Sequence, residues 1–443
     1  MINLSGKITQ LNAQEIKAVS LTLNGAEQIL TRDAENFEAQ LSLKPGENSY
    51  TIEITDTNDR ATSYSYQLYF GNKTAAGNAH SGVLRDGKLF TWGRNNYGQL
   101  GLGFTSKLSD GNSHPNTPLQ VGLAEDVEFV SIVFNQNSSL ALGSQGYAWS
   151  WGKTEFGQLG LGETSETEIK APTKISSVND VVSVDRGYNH SLMLTQSGTV
   201  YAFGKNDKGQ LGTGTVTTTD DDQNKSMPTA VAGLSDIIQI AAGANTSYAL
   251  DSNGTLWGWG SNTKGELGIT STENQSTPVQ IPVPSNVAML AAGQYHALAL
   301  TRSGELYGWG LNSSSQVYGL DDGSEDDNVL NPRKLDWFDD VRFVWANGNM
   351  SFLARSDGKV YPWGQNSLGG LGVISADKNV LYPSAAMPGL SSVTSMGVGA
   401  LHGIALREDG QVFSWGWSFE GSLGVDGVEN AWSQSVPLAV TVP

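Results

Sequence analysis

Histidine is the side chain best suited to acid–base chemistry near neutral pH, and the chain contains only five. Four of them share one slot of an internal repeat: His80, His190, His296 and His402. Other units carry Ser138, Thr246 or Met350 in that slot. A residue that recurs in this way is expected to serve the scaffold, so we interpret these histidines as hydrogen-bonding struts at a turn. The fifth, His114, lies in a polar loop at 110–116 and is expected to be solvated.

No other residues have the spacing of a catalytic or cofactor site. No serine–histidine–aspartate set is indicated, no Walker or dinucleotide-binding loop is present, and the Gly-x-Gly sequences are repeat turns. Two acidic segments, 220–222 and 321–328, could supply carboxylates to calcium, but solvated loops are the simpler interpretation because neither has the spacing of a known calcium loop. The sequence therefore predicts a protein that is not an enzyme, with no cofactor and no assigned metal.

Charge and composition exclude further classes of protein. The chain has 443 residues, with 26 Lys and Arg against 44 Asp and Glu, a net charge of −18. An acidic surface repels nucleic acid and anionic lipid, and the absence of cysteine excludes disulfides and thiolate metal sites. No apolar run approaches the roughly 18 residues that a membrane span requires, and the first residues lack a signal-peptide pattern. We expect neither nucleic-acid binding nor membrane insertion.

The elements that position these residues come from a repeat, which begins near residue 72. An aromatic-Gly step recurs at intervals of 50 to 59 residues, at Trp92, Trp151, Phe203, Trp259, Trp309, Trp363 and Trp415. A Gly-x-Leu-Gly turn follows each step, as in Gly98-Gln99-Leu100-Gly101, and the fifth copy is degenerate. Glycine accounts for 53 of 443 residues, above the roughly 7% of an average protein, which favours an all-β chain with many tight turns.

Each unit is interpreted as four short strands, A to D, in a meander. In the third unit the strands are predicted at 181–184, 191–194, 200–203 and 228–231. A proline occurs once per unit and is expected at the first residue of an outermost strand, at Pro118, Pro172, Pro228, Pro278, Pro332, Pro383 and Pro437. Seven such sheets cover each other's faces in a seven-bladed β-propeller, which we prefer to an open solenoid because neither end has a capping repeat.

The Trp-Gly steps, the Gly-Gln-Leu-Gly turns and the Gly-x-x-His turns resemble the repeats of the regulator-of-chromosome-condensation family, over about residues 72–443. The resemblance implies a seven-bladed propeller. Family members include an exchange factor for a small GTPase, parts of ubiquitin ligases, a plant ultraviolet photoreceptor and a secreted bacterial inhibitor of β-lactamases. The photoreceptor's Gly-Trp-Arg-His-Thr chromophore cluster has no counterpart in turns such as Gly77-Asn78-Ala79-His80, which argues against light reception.

Residues 1–71 contain no copy of the repeat and are predicted to form a separate small immunoglobulin-like β-sandwich before the propeller at 72–443. Alternating residues predict strands at 17–23, 37–43, 49–55 and 63–70. The turn Pro45-Gly46-Glu47-Asn48 and the strand after it resemble bacterial immunoglobulin-like domains, which are common in exported proteins. We therefore expect a secreted or cell-surface protein, with a cytoplasmic location as the alternative.

The tryptophans of the repeated slot are predicted to be wedged between blades. Six others break the pattern: Trp149, Trp257, Trp337, Trp345, Trp417 and Trp432.

The rim formed by the A–B and C–D connections has the longer and more variable loops, where binding specificity is normally found. Its aromatic residues are the predicted partner-binding site: Tyr97, Phe104, Phe156, Tyr188, Tyr295, Trp417 and Phe419. Trp417 and Phe419 are the strongest candidates, since Trp417 is aligned with Asn95, Asn206, Asn262 and Asn366 of other units.

The leading hypothesis is a monomeric binding scaffold that engages a protein partner through this rim. Two alternatives stay open. The same aromatics could stack on sugars in a glycan-binding module or adhesin, or the propeller could be an intracellular exchange factor for a small GTPase. Exchange would require a wedge that displaces nucleotide, and no unit carries a plainly hydrophobic insertion.

Overall fold

The computed structural model describes residues 2–7, 16–33, 36–41, 43–107, 113–123, 127–162, 164, 168–217, 224–284, 286–319, 328–428 and 432–443. The acidic segments at 220–222 and 321–327 lie outside these residues. The chain divides into two compact units, Met1–Gly71 and Asn72–Pro443.

The first unit contains two antiparallel sheets. One has three strands, in the order Ile2–Lys7, Asn36–Leu41, Leu30–Asp33, and the other has four, in the order Ala26–Glu27, Ile16–Leu23, Gly46–Asp56, Ala61–Phe70. Leu21, Leu41 and Ile52, drawn from both sheets, share one core. Asn48 is buried in the turn that resembles that of bacterial immunoglobulin-like domains. Its side chain accepts a hydrogen bond from the Lys44 amide and donates one to the Lys44 carbonyl. The immunoglobulin-like identity of this unit stays a prediction.

The second unit is built from seven four-stranded antiparallel sheets, each made of consecutive strands. The A strands are Thr74–Ala76, Phe129–Asn135, Val181–Arg186, Ile237–Ala242, Val287–Ala292, Val341–Asn347 and Val393–Val398. The B strands are His80–Arg85, Ser138–Gly143, His190–Thr195, Thr246–Asp251, His296–Thr301, Met350–Arg355 and His402–Arg407. The C strands are Lys88–Gly93, Ala148–Gly152, Val200–Gly204, Leu256–Gly260, Leu306–Gly310, Val360–Gln365 and Val412–Trp417. The D strands are Leu119–Gln120, Ile169–Lys174, Lys225–Ala230, Gln275–Ile281, Val329–Lys334, Asn379–Val380 and Ser433–Val440. Short 3₁₀ turns span Ser367–Gly369 and Phe419–Gly421.

The sheets close into a ring, because each A strand contacts the A strand of the next blade and the last A strand contacts the first. The seven-bladed propeller is confirmed. Each blade consists of four consecutive strands, as predicted from the repeat. At the closure, Ser395 Oγ lies 2.9 Å from Thr74 Oγ1. Trp92 of blade 1 donates to the Ser422 carbonyl of blade 7 over 3.0 Å.

The repeated tryptophans are fully buried between blades, as predicted. In blades 2 and 4, the indole N–H and a B-strand serine hydroxyl both donate to one turn carbonyl of the preceding blade. The Gln99 carbonyl accepts from Trp151 and Ser139, and the Gln210 carbonyl accepts from Trp259 and Ser247. The glutamine of the Gly-Gln-Leu-Gly turn is therefore placed so that its backbone joins neighbouring blades.

Two details of the repeat prediction were wrong. Pro172, Pro228, Pro278, Pro332 and Pro437 lie inside D strands rather than at their first residues. The pairing of strands C and D shifts register beside each of them, so a bulge removes the proline from the hydrogen-bonded ladder. Trp149 and Trp257 also belong to the repeat, since strand C carries an aromatic two residues before the repeated slot in every blade: Phe90, Trp149, Tyr201, Trp257, Tyr307, Tyr361 and Phe413.

Candidate functional site

One backbone hydrogen bond at the rim of the A–B and C–D connections recurs in every blade and links the two connections. The residue that follows the strand-C glycine donates its amide to the carbonyl of the last A–B turn residue. The pairs are Arg94–Ala79, Lys153–Asn137, Lys205–Asn189, Ser261–Asn245, Leu311–Tyr295, Gln365–Asn349 and Trp417–Leu401. Only the backbone of this residue takes part in the recurring hydrogen bond, so its side chain varies in charge and size from blade to blade.

The structure corrects the alignment of Trp417. Its counterparts are the residues of the slot just described, such as Arg94 and Lys153, and not the asparagines. The asparagines lie one position later and hold the turn, since Asn95 Oδ1 accepts the Leu100 amide at 3.1 Å. Asn206, Asn262 and Asn366 accept the equivalent amides. Blade 7 has the buried Ser418 at that position.

Tyr97 and Phe156 are half-buried beneath lysines of the next blade. Lys153 Nζ lies 5.3 Å from the centre of the Tyr97 ring, and Lys205 Nζ lies 5.1 Å from that of Phe156. Both lysines belong to the variable slot. Phe104 is different, because its side chain is 46% exposed in the C–D loop of blade 1.

Tyr188 and Tyr295 lie in the A–B turns of blades 3 and 5, at the axial end of the same rim, and both are half-buried. Burial raises the pKa of the Tyr188 phenol, and the nearby Tyr295 raises this pKa further. The turn of blade 4 between them carries the small Ala244, and Tyr188 donates its amide to the Ala244 carbonyl over 2.9 Å. Ala244 donates its own amide to the Gln294 carbonyl over 3.1 Å, so the blade-4 turn links the two turns that carry the tyrosines.

Blade 7 carries the apolar part of the rim. The Trp417 and Phe419 rings stack with their centres 5.5 Å apart, and Phe419 is 43% exposed while Trp417 is half-buried. Trp432 immediately precedes strand D, its carbonyl accepts the Ser418 amide, and its side chain is 76% exposed. The sequence placed Trp432 outside the predicted site. We refer to Trp417, Phe419 and Trp432 as the blade-7 aromatic group.

Beside this group lies a buried polar cluster that the sequence missed. Arg94 of blade 1 donates to both oxygens of Glu420 of blade 7, with Nε 2.5 Å from Oε2 and an NH2 donor 3.0 Å from Oε1. The expectation of a solvated His114 was wrong: its side chain is buried, with Nε2 3.9 Å from Glu420 Oε1 and Nδ1 2.9 Å from Ser106 Oγ. Burial lowers the pKa of His114, and Glu420 partly offsets that effect.

The four repeated histidines are struts between blades. Nε2 of each lies within hydrogen-bonding distance of a B-strand serine hydroxyl of the next blade, in the pairs His80–Ser139, His190–Ser247, His296–Ser351 and His402–Ser81. Burial lowers the pKa to about 3 for the first three and to about 4 for His402, so all are neutral at pH 7. A Cβ added to Gly293 would lie 2.1 Å from the His296 ring, so the turn requires glycine there.

Blade 3 lacks the repeated tryptophan and uses another side chain to donate to the turn of the preceding blade. Phe203 replaces the repeated tryptophan and has no N–H, and the buried Arg186 donates instead to the Gln158 carbonyl over 3.0 Å. Burial raises the pKa of the neighbouring Asp185 and lowers that of Arg186. Asp185 accepts the amides of Arg186 and Ala242. This buried polar group therefore has a structural role at the junction of blades 2, 3 and 4.

The chain matches two family descriptions: the RCC1-like domain over residues 164–443 and the regulator of chromosome condensation (RCC1) repeat over residues 86–142. The chain belongs to the RCC1 family. Its relatives include the ultraviolet-B receptor UVR8 of Arabidopsis thaliana, which is 30% identical over 360 residues, covering 79% of this chain and 78% of the receptor. The repeat signatures that predicted the seven-bladed propeller are therefore those of the RCC1 repeat.

A second relative of this RCC1 chain is the probable E3 ubiquitin-protein ligase HERC3 of Homo sapiens, 33% identical over 45% of this chain. The match spans only 18% of that ligase. Among solved structures, yeast RCC1 (Prp20) bound to Kap60 aligns with a TM-score of 0.65 and 25% identity, covering 76% of this chain and 80% of Prp20.

Within the described residues, no group of three or more His, Cys, Asp or Glu side chains is placed to hold a metal ion. The same residues contain no helix that is long and apolar enough to cross a membrane.

Proposed function

We propose that this RCC1 propeller is a non-enzymatic protein-binding module whose partner contacts the A–B and C–D rim at the blade-7 aromatic group. The single observation that carries the proposal is the exposure of Phe419 and Trp432, at 43% and 76%, on the stretch of the rim where Phe419 stacks on the half-buried Trp417. Aromatic side chains dominate the energetics of protein interfaces, and the ring does not require these residues to be exposed.

The solved relative supports a protein partner, because yeast RCC1 (Prp20) was crystallised bound to Kap60, another protein. Tyr97 and Phe156 contribute less to the proposed interface, since their rings already lie against lysines. Phe104, Tyr188 and Tyr295 complete the proposed surface around blade 1 and the axis. A secreted or cell-surface location and a monomeric state stay predictions from the sequence.

Site-specific photo-cross-linking tests the proposal in the organism's own cells. A photoreactive amino acid replaces Trp432 in one strain and Gln411 in another, since Gln411 is an exposed residue at the opposite rim of the same blade. A protein adduct from position 432 that is missing from position 411, and lost in the double variant W417S/F419S, supports the rim. Equal adducts from both positions contradict it.

The two alternatives make different predictions for the purified chain. A glycan-binding module retains a defined sugar on a glycan array and loses it in the W417S/F419S variant. An exchange factor accelerates release of labelled nucleotide from a small GTPase of the same organism. Either result, in the absence of a cross-linked protein at position 432, would replace the protein-binding proposal.

A further inference from the structure

Blade 2 contains a small cavity at the rim opposite to the proposed protein interface. It lies where the B–C turn of this blade meets the end of its D strand, and it is lined by Glu128, Tyr147, Trp149 and Lys174 together with the backbone of residues 143–145. Two aromatic rings, a carboxylate and an ammonium group thus line one concave surface. None of these residues contributes to the function proposed above.

The pair of aromatic residues distinguishes blade 2 from the other six. Trp149 occupies the strand-C slot that is aromatic in every blade. Tyr147, two residues earlier, is the one aromatic at its slot, where the other blades have Lys88, Thr199, Thr255, Glu305, Lys359 and Gln411. Residues two apart in an extended segment point to the same face of the sheet, so both rings line the cavity.

The cavity already binds a cation, which the chain itself supplies. Lys174 is paired with Trp149 across strands C and D, and its Nζ lies 3.3 Å from the centre of the Tyr147 ring. An ammonium group above an aromatic face is held by the ring quadrupole. Trp149 is held in place by Phe129, with ring centres 6.1 Å apart in an edge-to-face arrangement.

We propose that this cavity is a binding site for an alkylated ammonium group, which takes the place of the Lys174 ammonium on Tyr147. The rings would face the methyl groups and Glu128 would balance the charge. An alkylated ammonium is more weakly hydrated than the compact ammonium of lysine, so it loses less on leaving water and competes well for an aromatic face. Lys174 lies near the end of an outermost strand, so its side chain can swing into solvent.

Titration calorimetry on the full chain tests this proposal with tetramethylammonium and choline as probes. The neutral isostere 3,3-dimethyl-1-butanol has the shape of choline without its charge. We expect both cations to bind and the isostere to bind at least about tenfold more weakly, because the attraction is to charge. Equal binding of choline and its isostere overturns the proposal, as does binding of neither cation at millimolar concentration.

Three variants and a control locate the binding. Glu128→Gln keeps the shape of the side chain and should weaken choline binding by at least about fivefold, and Tyr147→Leu should do the same. Lys174→Met removes the internal competitor and should strengthen binding. Phe413→Leu is the matched control, since the Phe413 ring also lies under a cationic side chain, with Arg407 Cζ 5.7 Å from its centre in blade 7, and it should leave choline binding unchanged. Unchanged affinity in both Glu128→Gln and Lys174→Met overturns the proposal even if Tyr147→Leu fails to fold.

Two sources could supply this chemistry: a choline-type molecule or a trimethylated lysine side chain. A peptide containing trimethyllysine is therefore titrated beside choline, with the unmethylated peptide as its control. Tighter binding of either methylated ligand supports the site and identifies its source. Equal binding of the methylated and unmethylated peptides excludes trimethyllysine as the source, and equal binding of choline and its isostere overturns the proposal whatever the peptides show.

Discussion

His402 of the last blade lies 2.8 Å from Ser81 of the first, measured between His402 Nε2 and Ser81 Oγ. The same contact joins His190 of blade 3 to Ser247 of blade 4. Ser81 also donates to the Ser422 carbonyl over 2.9 Å. The ring therefore closes with the same side-chain contacts that link its internal blades, and in the part of the chain that the structure describes its first and last sheets each consist of consecutive strands.

The neutral histidine struts make stability depend on pH. Burial depresses the pKa of His296 from 6.5 to about 3, so the folded state keeps it neutral while the unfolded chain protonates it below pH 6.5. Its contribution to stability is present above pH 6.5 and is lost as pH falls toward 3. We expect the parent to lose about 2 kcal/mol relative to His296→Gln between pH 7 and pH 5.

Urea unfolding of both proteins at the two pH values measures this difference. A gap between parent and variant that stays constant across the range would show that His296 is protonated as readily in the fold as in the unfolded chain.

The repeated tryptophans are predicted to stabilise the ring and to take no part in binding. Trp259 is fully buried and donates to the Gln210 carbonyl over 3.0 Å. Trp259→Ala should lower the free energy of unfolding by about 3–5 kcal/mol, the usual cost of removing a large core aromatic. Thermal unfolding checks this value, and a variant that melted with the parent yet lost its partner would reverse the assignment.

Blade 3 offers a test of whether Arg186 takes over the donor role that the repeated indole has in blades such as 2 and 4. Arg186 supplies the donor that Phe203 lacks, and the equivalent of Arg186 in blade 4 is Ala242. Arg186→Ala and Phe203→Trp should each destabilise the ring, through a cavity and through overpacking. The double variant restores the arrangement of the other blades, so we expect a favourable coupling of at least about 1 kcal/mol. Additive effects in a double-mutant cycle would contradict this account.

Loss of the carboxylate from the buried Arg94–Glu420 pair at the ring closure should destabilise the protein far more than loss of a carboxylate from an exposed pair. Glu420 is 5% exposed at its side chain and accepts two bonds from Arg94. Glu420→Ala should cost about 2–3 kcal/mol, because it leaves Arg94 without its carboxylate. Glu155→Ala is the matched control, since Glu155 pairs with Lys153 at 44% side-chain exposure, and it should cost less than about 1 kcal/mol. Equal melting temperatures for the two variants would contradict the role of Glu420.

The sequence predicted what is encoded locally and repeatedly. The repeated tryptophans, the histidine slot and the order of the four strands follow from spacing within single units. The burial of His114 does not, because it depends on Glu420 in the turn of another blade. Trp417 was aligned with the asparagines because spacing alone does not distinguish adjacent turn positions, whereas the amide accepted by Asn95 does.

The candidate site was predictable only in part. The sequence predicted binding at the rim by Trp417 and Phe419, which stays a prediction, and it left out Trp432, whose 76% exposure no periodic pattern encodes. Tyr97 and Phe156 were predicted as binding residues from their type, and the lysines above them come from the next blade. Contacts between units therefore decide which aromatics are free.

The central claim is that a protein partner binds the blade-7 aromatic group, and the affinity of the W417S/F419S variant tests it most directly. Calorimetry with the partner identified by cross-linking compares it with the control L119S/M227S, which removes two exposed apolar side chains from strands D of other blades. We expect the rim variant to keep its melting temperature and to lose about 2 kcal/mol or more of binding free energy, while the control binds as the parent does. Binding equal to the parent, or early unfolding of the rim variant, would contradict the claim.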